Sequence, residues 1–455
     1  MGDERDLTDA SREELLGLIA DQRGTIATLE QAVGVLQARV ADLERRLGSS
    51  GGGGMPGLKP ASTTRARATG QPRTRRQQAF VRRRAAPTRT VDHAAERCPD
   101  CGTHLLGGWL HRRREVIELP VVQAEVVEHR ILARSCPQCQ RRVLPAAADL
   151  GVAVGQMRLG QRLVSLIVTL RSEQRLPVRA IQRHLESVYG LQLSLGAIVA
   201  AAQRVAATAA PALAEIDATM RASPAVNLDE TGWRQNGRNG YIWTASTPTA
   251  CRFIYGSRQK EQVDTLLGAD FAGVLVSDFY AAYHHYPGMK QKCWAHLLRE
   301  GHDLTTAYPD DRAVRRWLRR LKRIFTDATA AAQALATAPE RPRVAAQRRL
   351  EARITRLCTA PAADPTAVAG RLSRRLLRHL SELFTFVAIP GVPADNNGAE
   401  RSLRHLVTIR KISGGSRSSR GTETTLALAS LTETWRRRGL NPFLQSLALL
   451  LSHQS

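Results

Sequence analysis

The chain has 455 residues, room for about three domains at roughly 150 residues each and for a sizeable core. Its 66 Lys and Arg against 41 Asp and Glu leave a net charge of +25, which makes polyanions the first partners to consider. With 43% apolar residues, 5% aromatics and 7 Cys, wholesale disorder and a disulfide framework are excluded, and the Ala/Arg/Leu bias favours helix.

The N-terminus, Met1-Gly2-Asp3-Glu4-Arg5-Asp6, has acids and no apolar h-region, and no apolar run reaches the roughly 18 residues of a membrane span. Both features predict a cytoplasmic protein with no membrane partner. Residues 15 to 47 then carry an apolar repeat alternating four and three: Leu15, Ile19, Gln22, Ile26, Leu29, Val33, Leu36, Val40, Leu43 and Leu47. With Ile19, Ile26, Val33, Val40 and Leu47 at a and mostly Leu at d, the pattern predicts a parallel two-stranded coiled coil over 1–47. A helix packed on its own domain is the competing reading. Residues 48–91 read as a Gly-rich linker and an acid-free Arg-rich arm, in which Arg73, Arg75, Arg76, Arg82, Arg83 and Arg84 suit nucleic-acid phosphates better than a merely solvated tail.

Two Cys-Pro-x-Cys knuckles come next, Cys98-Pro99-Asp100-Cys101 and Cys136-Pro137-Gln138-Cys139. Each pair can chelate through two thiolates, and together they supply the four soft ligands of a closed structural Zn²⁺ site; buried free thiols are the alternative. A module over 92–148 is expected, with strands in the Val-rich stretch Val116 to Leu132 presenting the knuckles. Residues 149–220 read as helices, Arg158 to Arg171, Val178 to Tyr189 and a third capped by Ser194, in the outline of a helix-turn-helix DNA-binding region.

From Pro224 the texture turns to strands. A short run ends at Asp229, strands continue at Tyr241 to Ala245 and Arg252 to Tyr255, a helix lies near Gln262 to Leu267, and Gly273 to Ser277 leads into Asp278. Lys292 to His296 reads as another strand, Asp310 to Leu383 as a helical insertion, and Glu400 falls in a helix opened by Ala394 to Arg401. Two strand-borne Asp and one helix-borne Glu are what a two-metal phosphoryl-transfer site needs, because hard Mg²⁺ takes carboxylate and phosphate oxygens. Spacing alone leaves other acids eligible, Glu230, Asp395 and Glu423 among them.

Four phrases occur together and in order: Asp229-Glu230-Thr231-Gly232-Trp233-Arg234, Ser277-Asp278-Phe279-Tyr280-Ala281-Ala282-Tyr283, Cys293-Trp294-Ala295-His296, and Asp395-Asn396-Asn397-Gly398-Ala399-Glu400-Arg401-Ser402-Leu403-Arg404. They resemble the large transposase of the bacterial insertion sequence 66 family. The resemblance implies an α/β ribonuclease-H-like catalytic core with an all-helical insertion, divided as 221–296, 297–390 and 391–430, with a C-terminal tail over 431–455. It implies a DDE triad of Asp229, Asp278 and Glu400 holding Mg²⁺ or Mn²⁺, with hydrolysis at the element's end and then attack of the freed 3′-hydroxyl on target DNA. Cys293 and His296 match a phrase found near the site in related transposases, a packed His being the alternative. Arg401 and Arg404 lie just beyond Glu400, and Arg404, which shares its face, could meet phosphate or be a surface charge. Glu230 is expected on the opposite face of the strand from Asp229, and Asp395 as a cap of the Glu400 helix.

The implied partners are double-stranded DNA at element ends and target, a second copy or a higher oligomer through the coiled coil, and accessory proteins of the same element, in a nucleoid-associated bacterial setting. A DNA-binding regulator derived from a transposase, and a metal-dependent nuclease without strand transfer, share parts of this pattern.

Overall fold

The computed structural model describes residues 11–49, 86–120, 122–146 and 158–452; Arg73, Arg75, Arg76, Arg82, Arg83 and Arg84 lie outside the described residues. The chain divides into two units, Gly51–Glu125 and the remainder, Met1–Ser50 with Val126–Ser455.

In the smaller unit the first knuckle is a tight turn. The Cys98 N–H donates to the Thr103 carbonyl and the Gly102 N–H to the Cys98 carbonyl, both at 2.9 Å, with Gly102 at φ 72°. An antiparallel bridge between Arg97 and His104 closes it.

The larger unit begins with helix α1 (Arg12–Ser49), which spans the whole predicted heptad region. Ile19, Ile26, Leu29, Val33, Leu36 and Val40 along its seam are about half exposed. The second knuckle joins two short antiparallel strands, β1 (Arg134–Ser135) and β2 (Arg142–Val143). Its hydrogen bonds repeat the first: Cys136 N–H to Arg141 carbonyl and Gln140 N–H to Cys136 carbonyl, both 2.9 Å, with Gln140 at φ 58°.

The strands expected between Val116 and Leu132 are not formed among the described residues. Alternation there is real, but a strand needs a ladder partner, and Val116, Leu119 and Val126 stand 71%, 82% and 90% exposed.

Helices α2 (Gln161–Val168), α3 (Val178–Tyr189), α4 (Leu195–Ala207) and α5 (Ala210–Arg221) form the next layer. The first is shorter than its sequence suggested, because a π-turn at Thr169–Glu173 interrupts the α ladder. Gly190 at φ 67° ends α3, and the Ser194 hydroxyl accepts from the Ala197 N–H to start α4. Val164, Ile167, Ile181, Leu185, Ile198 and Val205 form one core with Leu428 and Leu450 from the far end of the chain.

The sheet has the order β5-β4-β3-β6-β7, from β3 (Ala225–Gln235), β4 (Arg238–Ser246), β5 (Cys251–Gly256), β6 (Val274–Ser277) and β7 (Lys290–Lys292). The first three are antiparallel neighbours, whereas β3–β6 and β6–β7 are parallel. Asn236 and Gly237, at φ 49° and 77°, make the two-residue turn between β3 and β4. Through this hairpin β3 runs on to Gln235, so Asp229 lies within a strand and does not end one.

The two faces of the sheet have different covers. Ala225, Val274 and Val276 pack with the insertion helices α7 (Trp294–Ala307), α8 (Arg312–Ala334), α9 (Glu340–Ala363), α10 (Gly370–Arg378) and α11 (Thr385–Ala388). Val226, Leu228 and Leu275 pack with α5, with α6 (Glu261–Leu267) and with Leu431 and Trp435. The expected strand at Lys292 to His296 is corrected: β7 stops at Lys292, Cys293 is the N-cap and His296 lies in the first turn of α7. Helices α12 (Asn397–Ser413), α13 (Ser419–Arg437) and α14 (Pro442–Ser452) complete the unit. The expected boundary at 430/431 therefore cuts through α13, and the expected tail is corrected too, since Leu431, Trp435 and Leu450 are packed into two of the cores. Among the described residues no single helix is long and apolar enough to cross a membrane.

Candidate active site

Asp229 is half-buried on the central strand, on the same side as Asn227, whose amide reaches the start of α12. Asp278 comes directly after β6, its Oδ1 accepting the Tyr280 N–H at 2.8 Å. Glu400 lies in the first turn of α12, where the helix dipole favours a carboxylate. The Asp395 carboxylate accepts the Asn397 N–H at 3.0 Å, one residue before the N-cap Asn396, so it does not cap α12 in the expected way.

The three acids share one electrostatic environment. The Asp229 carboxyl is pushed up to about 8, first by burial, then by Glu230, with Asp278 and Glu400 adding like-charge repulsion; its hydrogen bond from the Glu230 N–H opposes the rise. Such a group is a poor isolated anion and a good ligand for a cation. Its neighbour Glu230 belongs to the other face: Oε2 accepts from the Tyr283 hydroxyl and Oε1 from Arg258 at 2.8 Å. There it shores up the strand from behind, its side chain only 4% exposed.

Several residues that motif reading did not single out hold the acids in place. Asn227 Nδ2 donates to Asn396 Oδ1 at 2.9 Å, and Asn396 Nδ2 donates to the Leu228 carbonyl at 2.6 Å. At the other end of α12, Arg410 donates to the Thr231 hydroxyl at 3.1 Å and to the Gly232 carbonyl. Lys292 is buried and donates to the Asp278 carbonyl at 2.9 Å and the Ser277 hydroxyl at 3.2 Å. Burial draws its ammonium down to about 8, against the pull of Glu382 and Asp278. A polar residue inside a buried apolar run, as Asn227 is between Val226 and Leu228, was the available signal.

Cys293 and His296 meet Glu400. The Cys293 Sγ accepts the Asn396 N–H at 3.1 Å, and His296 Nδ1 lies 3.8 Å from Glu400 Oε1. Beside them opens a cleft of about 280 Å³ lined by Asp278, Phe279, His296, Arg299, Glu300, Asp303 and Arg375. Arg401 and Arg404 are exposed on α12.

Acids from a central strand, its neighbour and a packed helix thus lie near an open cleft in a strongly basic chain. Comparison with known proteins makes the assignment particular. The model described as Transposase IS66 family matches residues 156–424, and that described as zinc-finger binding domain of transposase IS66 matches residues 95–140. The first match covers more than half of the chain, which belongs to the IS66 transposase family. A relative, the uncharacterized protein y4jD of Sinorhizobium fredii (strain NBRC 101917 / NGR234), is 26% identical over 370 residues, 74% of this chain and 71% of the relative. The second match contains both knuckles, so zinc binding is a property of the matched domain.

Proposed function

We propose that the protein is a DDE transposase that binds the ends of an insertion element, cleaves phosphodiester bonds there and joins the 3′ ends to target DNA. What supports this reading is that Asp229, Asp278 and Glu400 stand on the central strand, just after its neighbour and in the first turn of the helix packed against it, near enough for Asp278 and Glu400 to add to the burial and the Glu230 charge that raise the Asp229 carboxyl. That setting fits divalent cations, and Asp229, Asp278 and Glu400 would hold two Mg²⁺ or Mn²⁺. When bound, such ions supply activation of the attacking oxygen and neutralisation of the leaving one. The chain's own part is positioning: β3 and β6 fix two carboxylates on rigid backbone, the Asn227–Asn396 link sets the third, and Lys292 fixes the backbone at Asp278. The overall arrangement supports a ribonuclease-H-like core.

DNA affinity is assigned to the Arg-rich arm, to the zinc module with Cys98, Cys101, Cys136 and Cys139 as ligands, to α3 and α4 as a helix-turn-helix-like pair, and to Arg401 and Arg404. Pairing of two copies through α1 would bring two element ends together, because a half-exposed apolar seam is satisfied by a second copy of itself.

The test is incubation with end-containing DNA and a target plasmid in Mg²⁺. Cleavage and then covalent joining are expected. Cleavage that stops at nicks identifies a nuclease without strand transfer, and binding with no strand scission identifies a regulator.

A further inference from the structure

We propose that Cys293, His296 and Glu400 hold one borderline-soft divalent ion, Zn²⁺ by ligand type, at the junction of α7 and α12. The Sγ, ring nitrogen and carboxylate oxygen of these residues all lie within 4.8 Å of one another. His296 Nδ1 and Glu400 Oε1 are 3.8 Å apart, too far for a hydrogen bond. Two ligands on one tetrahedral ion with bonds near 2.1 Å stand about 3.4 Å apart, close to that separation. Both atoms are fully buried and have no hydrogen-bond partner, a state that a shared cation relieves.

The backbone brings these groups together independently of any ion. Cys293 N–H donates to the Ser277 carbonyl at 2.9 Å, Trp294 N–H to the Ala394 carbonyl at 3.1 Å, and Asn396 N–H to the Cys293 Sγ at 3.1 Å. The Cys at the N-cap of α7 and the His three residues on therefore face the first turn of α12. Sulfur sets this ion apart from those assigned to the triad, since Mg²⁺ takes oxygen ligands and thiolate selects zinc-like metals. Three protein ligands leave a fourth position for water or a substrate oxygen, as in catalytic zinc sites. One Glu400 oxygen would be held by this ion and the other left to the triad; that role as anchor rests on the transposase reading, whereas the site itself does not.

The test uses full-length protein purified without chelator. Elemental analysis is expected to show about two zinc ions per wild-type chain, about one in Cys293→Ser or His296→Gln, and about one in the Cys98→Ser/Cys101→Ser double variant. The difference between wild type and variant decides. Equal metal content in wild type, Cys293→Ser and His296→Gln overturns the proposal. Replacement by Co²⁺ gives a second readout, in which Cys293→Ser should remove one thiolate-to-metal absorption component and leave that of the knuckles. If Cys293→Ser does not fold, His296→Gln, which keeps the thiol and is partly exposed, decides alone. Metal loss in the variants with no DNA cleavage by the wild type leaves this site standing and overturns the transposase reading; cleavage with unchanged metal content does the reverse.

Discussion

Asn227 and Asn396 are joined by a 2.9 Å side-chain hydrogen bond across 169 positions of sequence. Asn396 is 1% exposed and passes its own amide on to the Leu228 carbonyl, so one buried residue ties the central strand to the helix that carries Glu400. The spacing of Glu400 from Asp229 thus depends on two buried amides.

Asn396→Ala is accordingly expected to slow DNA cleavage by about 10- to 100-fold through misplacement of Glu400. It should cost about 1–3 kcal/mol of stability by orphaning buried groups, and leave DNA affinity unchanged. A wild-type cleavage rate in a folded Asn396→Ala protein would rule out the positioning role.

Asp229→Asn, Asp278→Asn and Glu400→Gln should each abolish cleavage while sparing DNA binding, since an amide cannot supply a negative ligand to a divalent cation. Glu230→Gln and Asp395→Asn serve as controls. Glu230 faces Tyr283 and Arg258 on the other side of the strand, and Asp395 is engaged by the Asn397 N–H at the start of α12, so both variants are expected to cut. An inactive Asp395→Asn beside an active Glu400→Gln would show that the third acid is Asp395.

The fold of the larger unit should weaken with acid through His405. Burial, together with Arg175 and Arg436, draws its imidazole down to about 4 from an ordinary value of 6.5. Arg171 lines the same cavity, and Arg436 is in turn paired with Glu173 and Glu433. The unfolded chain takes up the proton first, so this contribution is intact above about 6.5 and is lost as the pH falls towards 4, on the order of 3 kcal/mol in all. His405→Leu should flatten the fall in melting temperature between those limits; an unchanged profile would show that His405 is not the group responsible.

Self-association should reside in α1. A peptide of residues 12–49 is expected to sediment as a dimer at micromolar concentration, and Val33→Asp, at the middle of the seam, to make it monomeric. A monomeric wild-type peptide would place pairing elsewhere in the chain.

Chelation of the knuckle zinc should unfold residues 95–140 and leave the melting of the helical and sheet cores in place, because structural zinc contributes on the order of 10 kcal/mol to such modules. Loss of both transitions in the wild type but not in Cys293→Ser would trace the second to the zinc proposed between α7 and α12.

Local signals were legible in the sequence where local chemistry decides. Helix α3 has the bounds its pattern predicts, Ser194 caps α4, and the strand texture from Pro224 marks the sheet. What pairing decides was hidden. Residues 230 to 235 break the apolar alternation, yet they extend β3 because the Asn236-Gly237 turn folds β4 back along them. Val116 to Leu132 alternates well and still forms no strand among the described residues, for want of a partner. His296 reads as strand until the Cys293 amide, bonded to Ser277, ends the sheet and opens a helix. The triad acids were visible as residue types; the two asparagines that position them were not, because their partners are far away in sequence.

The order of elements also sets when the site exists during synthesis. Both Asp are synthesised before α7 to α11, and Glu400 only after them. A nascent or prematurely terminated chain ending anywhere from Trp294 to Asn396 carries the zipper, the knuckles, the arm and two of the three acids, but cannot assemble the third. Such fragments also lack Leu428, Leu431, Trp435 and Leu450, so neither the helical layer nor the sheet can complete its core in them. The late return of α12 to β3 means that the helix bearing Glu400 can take its place only when most of the chain has been made.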